Sequence, residues 1–246
     1  MILDTIVADK KVEVAEKKER VSLDQLMEAT ENLRPCRDFR TALRTEGISL
    51  IAEIKRHSPS RGEILPGVDA VEIAALYEQN KARALSILTD NKYFKGSLED
   101  LTRVSNHARI PCLRKEFIID PYQIYEARAA GADAILLIVR ILTDEELKAM
   151  LALARKLGLA VLVETHTETE IKRAIDAGAN IIGINNRDLD TLEIDIQTTI
   201  RLKSKVSGGF TLVSESGIHT RSEVKMLEDG GIDAILVGES ILTSGN

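Results

Sequence analysis

From Gly47 onward the chain alternates short, nearly apolar runs with longer stretches whose apolar positions recur at helical spacing. The apolar runs are SLIAEIK (49–55), ARALSILT (82–89), PCLRKEF (111–117), DAILLIV (133–139), LAVLVE (159–164), NIIGIN (180–185), FTLVSES (210–216) and DAILVG (233–238). Runs this short and this apolar read as buried strands. Three of the intervening segments open on Thr143–Glu146, Thr167–Glu170 and Thr220–Glu223, the spacing of a helix capping box. Strands alternating with helices in this way predict βα units and a parallel sheet. The phrases AAGADAILL, DAGANIIGI and DGGIDAILV repeat one joint, a helix end, a glycine stop and a buried strand. Eight such strands, with no glycine-rich fingerprint after the first, favour closure over an open doubly wound sheet. The expected fold is α/β, a (β/α)8 TIM barrel.

Residues 1–46 precede the first strand and have no counterpart later in the chain. Leu3, Ile6, Val7 and Val14 predict one amphipathic helix; Ser22 and Gln25 form a capping box for a second, and Pro35 ends the pattern. This segment is read as a helical extension on a single domain, 1–246, whose barrel occupies 47–246. The eighth strand ends near Gly238 and the sequence closes at Asn246, so the eighth helix is expected to be truncated. An incomplete outer ring would leave the apolar faces of strands 1 and 8 uncovered. A monomer is expected, with dimerisation through that face as the alternative.

Composition narrows the partners. A net charge of −6, scattered basic residues and 3% aromatics argue against a nucleic-acid surface. No apolar run is long enough for a membrane span, and Asp4, Asp9 and Lys10–Lys11 interrupt any signal-peptide core. Cys36 and Cys112 have no partners at ligand spacing and read as incidental thiols of a reduced, cytoplasmic protein.

Charges fall at the strand ends. Alternation along the first strand puts Ile51, Glu53 and Lys55 on one face and Leu50, Ala52 and Ile54 on the other. Lys115, Glu164, Asn185, Arg187, Glu215 and Ser216 close four other strands that are otherwise mostly apolar. In a barrel these ends gather at one mouth, where function resides. Glu53, Glu164 and Glu215 balance Lys55, Lys115 and Arg187, and such a cluster drives pKa values apart and supplies acid and base together. The turns Ser214–Gly217 and Gly238–Ser240 have the small residues of a phosphate cradle, with Glu239 expected to present its backbone. His166, between Glu164 and Glu168, lacks a second histidine at metal-ligand spacing, and the nearby acids are accounted for by the Thr167 cap. His57, His107 and His219 are single and read as solvated.

IAEIKRHSPSRG closely resembles the signature of the indole-3-glycerol phosphate synthase family. The likeness continues in order through LTDNKYFKGS (88–97), PCLRKEF, LLIVRIL (136–142), the ETH strand end, GINNRDL (183–189), VSESGI (213–218) and LVGES (236–240). The resemblance implies a carboxy-lyase of tryptophan biosynthesis needing neither metal nor cofactor. Its substrate is a sugar phosphate carrying an anthranilate group, 1-(2-carboxyphenylamino)-1-deoxyribulose 5-phosphate. It further implies Lys115 as general acid, Glu164 as its acid–base partner, and Lys55 as partner of the substrate's anionic groups. Glu53 and Asn185 would orient the lysines and the hydroxyl intermediate, Glu215 would complete the charge ring, and Arg187 would hold the carboxylate side. Phe94, Phe117 and Leu136 would clamp the aryl ring, and Ser58 would line the first loop. Ser216, Gly217, Gly238 and Glu239 would hold phosphate. Two alternatives stay open: a sibling barrel such as phosphoribosylanthranilate isomerase, against which EIKxxSP and Lys115 speak, and a truncated or engineered barrel that binds sugar phosphate without turnover.

Overall fold

A computed structural model describes residues 2–58, 62–64, 67–188, 191–206, 208–238 and 240–241. Eight strands, β1 (Ser49–Ile54), β4 (Ala84–Leu88), β5 (Cys112–Lys115), β6 (Ala134–Ile138), β7 (Ala160–Thr165), β8 (Ile181–Asn185), β9 (Thr211–Glu215) and β10 (Ala234–Val237), close into one barrel. Every pairing round the ring is parallel, and β1 completes it by pairing with both β10 and β4. The short hairpin β2 (His57–Ser58) and β3 (Gly62–Glu63) follows β1 outside the ring. Each predicted strand is present, its ends within two residues of those expected.

Alternation divides the apolar side chains into two cores. Ile51, Leu113, Leu136, Leu162, Ile181, Val213 and Leu236 point inward and fill the barrel. Ala52, Ile54, Leu85, Ile135, Val163, Ile182 and Ile235 point outward and pack under the helices. The inner core is plugged at the start of the strands by α3 (Phe39–Leu43), whose Phe39 and Leu43 are fully buried among the inward-facing residues. An inner core closed below leaves the strand ends as the open mouth.

The N-terminal helices pack on the same domain. Residues Ile2–Arg20 form α1 and Leu23–Ala29 form α2, the latter with the Ser22–Gln25 capping box intact. The capping boxes of Thr143 and Thr220 are also complete, whereas Thr167 caps its helix without the reciprocal bond, because Glu170 turns to the main-chain N–H of His166. α1 and α2 pack against the helix Pro121–Ala129 through Val14, Leu26 and Tyr122. Lys17 and Lys18 of α1 pair with Glu126 and Asp120 of the same unit.

One expectation is corrected. Of the outward residues of β1 and β10, Ala52, Ile54, Ile235 and Val237 are buried and Leu50 is partly buried, with Ile241 packed on the same core, so this face is not uncovered. Ser240 and Ile241 begin a helix, and the remainder of the expected truncation lies outside the described residues. Among the described residues, no helix is long and apolar enough to cross a membrane.

Candidate active site

At the C-terminal ends of the strands the mouth opens into a cavity of about 450 Å³, within the usual range for a small-molecule site. Its floor carries the charged residues. Glu53 and Lys55 come from the end of β1, Lys115 from β5, Glu164 from β7, Asn185 from β8 and Glu215 from β9; all six line the cavity. They converge because each is an inward position, one or two steps above the apolar layer that fills the barrel. Asn185 and Glu215 are paired directly in the β8–β9 register.

The polar side chains form a ring held by two separate sets of contacts. Lys55 Nζ lies 3.0 Å from Glu53 Oε1, and Lys115 Nζ lies 3.5 Å from Glu215 Oε2 and 3.8 Å from Glu164 Oε2. Asn185 donates from Nδ2 to Glu164 Oε1 at 3.2 Å, and its Oδ1 accepts the Arg187 main-chain N–H at 3.0 Å. One amide therefore fixes Glu164 and the start of the loop bearing Arg187.

The glutamates are buried to 6%, 3% and 1% exposure at 53, 164 and 215, so their charges are felt in a poorly solvated site. Burial opposes the charge on Lys115, but Glu215, Glu164 and Glu53 outweigh it and hold the ammonium above the ordinary lysine value. Burial likewise disfavours ionised Glu53, yet Lys55 and Lys115 keep its carboxyl below the usual range. Glu215 goes the other way. Burial, reinforced by repulsion from Glu164 and Glu53, pushes it up to about 7 against the pull of Lys115. Both Glu215 oxygens lack a hydrogen-bond partner among the described residues, which leaves them available to a ligand hydroxyl.

Two glycines make the ring sterically feasible. A Cβ at Gly183 would overlap Glu215 Oε1, and one at Gly238 would come 2.8 Å from Glu53 Oε1. Gly238 thus serves the carboxylate of Glu53, a role that reading it as a phosphate-turn residue does not include.

The other two sectors of the cavity are distinct. Phe94, Phe117 and Leu136 form an apolar side, the two rings 6.2 Å apart between centroids and inclined by 34°. Opposite them, Ser216, Gly217 and Gly238 line the wall where β9 and β10 end. Ser216 and Gly217 both have left-handed backbones, with φ of 67° and 74°. For serine that conformation is costly and recurs at ligand sites. Ser240 Oγ donates to the Ile218 carbonyl at 2.7 Å and ties the two turns together.

Thirteen of the residues singled out from the sequence thus share one cavity, Arg187 among them. Ser58 falls in β2 with its side chain outside the described residues, and Glu239 lies outside them altogether. His166 was missed. Two residues beyond Glu164, it is buried, with Nε2 3.4 Å from Glu164 Oε1 and Nδ1 3.2 Å from Glu170 Oε2. Burial disfavours the imidazolium, but Glu170 and Glu164 prevail and raise its pKa above the ordinary value. The signal was present: residues two apart at a strand end share a face. Among the described residues there is no cluster of three or more His, Cys, Asp or Glu able to hold a metal ion.

Comparison with known proteins gives one family. The family model for indole-3-glycerol phosphate synthase matches residues 3–246. The chain is 45% identical to the indole-3-glycerol phosphate synthase of Dehalococcoides mccartyi, over 99% of this chain and 96% of that one. It is 46% identical to the Roseiflexus enzyme of the same name, over 99% and 94%. Solved structures add the fold alone: N-acetylmannosamine-6-phosphate 2-epimerase from Clostridium perfringens aligns with a TM-score of 0.63 at 15% identity, covering 86% of this chain and 93% of that one.

The raised carboxyl of Glu215 makes stability depend on pH. A carboxyl whose folded pKa lies above its unfolded value stabilises the fold fully at low pH, and that contribution is lost as pH rises through about 7. Thermal unfolding of Glu215→Gln and the parent should therefore show the variant gaining relative stability between pH 5 and pH 8. A pH-independent difference would mean that Glu215 is not protonated in the free protein.

Proposed function

The chain belongs to the indole-3-glycerol phosphate synthase family, and on that premise we propose which side chains carry the reaction. The enzyme converts 1-(2-carboxyphenylamino)-1-deoxyribulose 5-phosphate to indole-3-glycerol phosphate, a step of tryptophan biosynthesis. The aryl carbon bearing the carboxylate bonds to the sugar ketone carbon, carbon dioxide leaves with its bonding electrons returned to the ring, and water is eliminated to complete the indole.

Lys115 is the general acid. As the aryl carbon attacks, negative charge develops on the ketone oxygen, and a nearby ammonium stabilises and protonates it. Its three surrounding glutamates keep it charged for that task. Lys115 then assists departure of the derived hydroxyl as water, with Glu164 as acid–base partner 3.8 Å away. Asn185 orients Glu164, and Glu53 orients Lys55, which pairs with the substrate's anionic groups. Arg187 holds the carboxylate side until carbon dioxide departs. Glu215 completes the ring of charge around Lys115 and accepts from the hydroxyl-bearing intermediate.

Binding follows the division of the cavity. Phe94, Phe117 and Leu136 take the aryl ring. Ser216, Gly217, Gly238 and Glu239 take the phosphate through main-chain N–H groups and hydroxyls, and Ser58 lines the first loop. A flexible open-chain substrate anchored at both ends is held with its reacting carbons in contact, and such positioning can supply much of the barrier reduction. The observation that carries this assignment is the placement of Lys115, flanked by Glu164 and Glu215 between an apolar and a small-residue wall. The free thiols Cys36 and Cys112 support a cytoplasmic setting, and the reading takes the chain as a single domain acting as a monomer.

Two kinetic outcomes are expected, followed by the absorbance of the indole product. Lys115→Ala should lower kcat by about 10²-fold or more with the fold intact, the range lost with a general acid. Near-parental kcat would remove Lys115 from this role. Glu164→Gln should lower kcat more than it raises KM; the reverse would make Glu164 a binding residue.

A further inference from the structure

The N-terminal helix α1 carries a lysine where its buried stripe calls for an apolar residue. Leu3, Ile6, Lys10 and Val14 are the buried positions of α1, and Lys10 is only 2% exposed. Its Nζ lies 2.9 Å from Asp90 Oδ2 and 3.1 Å from Glu116 Oε1, with Glu13 of the same helix at 2.6 Å. Burial works against this charge, but Glu116, Glu13 and Asp90 together hold the ammonium above the ordinary lysine value.

Each distant carboxylate secures a different loop. Asp90 Oδ1 accepts the main-chain N–H of Tyr93 at 2.7 Å and of Phe94 at 3.3 Å. Glu116 Oε1 accepts the main-chain N–H of Phe117 at 2.9 Å, while its Oε2 accepts the Thr89 hydroxyl at 2.8 Å. The two loops that Lys10 bridges are therefore the two that present Phe94 and Phe117 to the cavity. Leu3, two turns earlier on the same face of α1, also reaches the cavity wall. A second tie joins Asp9 to Lys92 and the Tyr93 hydroxyl, but Lys92 is 61% exposed, and a pair in solvent holds little.

A buried ion pair contributes little net stability compared with an apolar replacement, so what it does supply is geometry. We propose that Lys10 is a positioning residue: it fastens the Asp90 and Glu116 loops together and so fixes the spacing of the two phenylalanines that receive the aryl ring. This rests on the reading of Phe94 and Phe117 as the aryl site. α1 thereby acts as a strap across one sector of the mouth, touching the ring-binding side and leaving the phosphate wall to β9 and β10.

Calorimetric titration of the full chain with two ligands tests it: indole-3-glycerol phosphate, which has the ring, and glycerol 3-phosphate, which shares the phosphate tail and lacks it. Lys10→Met is expected to weaken the ring-bearing ligand about tenfold and glycerol 3-phosphate less than about twofold, a tenfold change being about 1.4 kcal/mol. Lys10→Arg, which keeps the cation, is expected to stay within about threefold of the parent for both. If Lys10→Met does not fold, the charge-balanced Lys10→Met/Asp90→Asn carries the same expectation. Equal weakening of both ligands, or no change in either, overturns the proposal. A parent protein that binds glycerol 3-phosphate but not indole-3-glycerol phosphate instead overturns the functional reading beneath it.

Discussion

Three glutamates are buried around one lysine at the mouth of the barrel. Glu53, Glu164 and Glu215 are almost without solvent, and Lys115 is the cation they share. Charges held this way cannot relax into water, so each must be satisfied by a neighbour or carry a proton. The arrangement resolves the conflict unevenly: Glu53 stays ionised under the pull of two lysines, while Glu215 drifts toward neutrality. Two carboxyls with opposite tendencies beside a charged lysine are what a sequence of protonation and dehydration needs.

The scaffold makes this possible by confining charge to one layer. Below it the inward positions are uncharged, mostly apolar with buried Ser49 and Thr211 at the strand starts, and Phe39 and Leu43 close the barrel from beneath. Above them the mouth splits into an apolar side and a small-residue side, so a ligand is oriented before chemistry begins. Gly183 and Gly238 belong to the same layer, since a methyl at either would displace a glutamate of the ring. α1 completes the apolar side through a charge of its own, buried in the same manner as those in the barrel.

Much of this was legible in the sequence because strand alternation is a strict rule. Once Ile51 is inward, so are Glu53 and Lys55, and the same logic carried Lys115, Glu164, Asn185 and Glu215 to one mouth. What escaped depended on long-range partners. Lys10 entered the sequence reading only as a charge that interrupts a signal-peptide core, since nothing local reveals that Asp90 and Glu116 wait across the fold. Glu170 read as half of a capping box, whereas its carboxylate serves His166, which in turn approaches Glu164. Gly238 was read for its turn, and only the packed structure reveals that its missing side chain makes room for Glu53. The supposed bare face of β1 and β10 failed for the same reason, as burial there is decided by what packs from elsewhere.

The mouth is dry enough to split its carboxyls into ionised and protonated populations. Titration of the side-chain carboxyl carbons by NMR in 13C-glutamate-labelled protein, with Glu215→Gln and Glu53→Gln assigning the signals, measures this directly. Glu215 is expected to titrate near 7 and Glu53 to remain ionised below the usual glutamate range. Ordinary titration of both would contradict this, because it would mean that water, rather than the neighbouring charges, governs these groups.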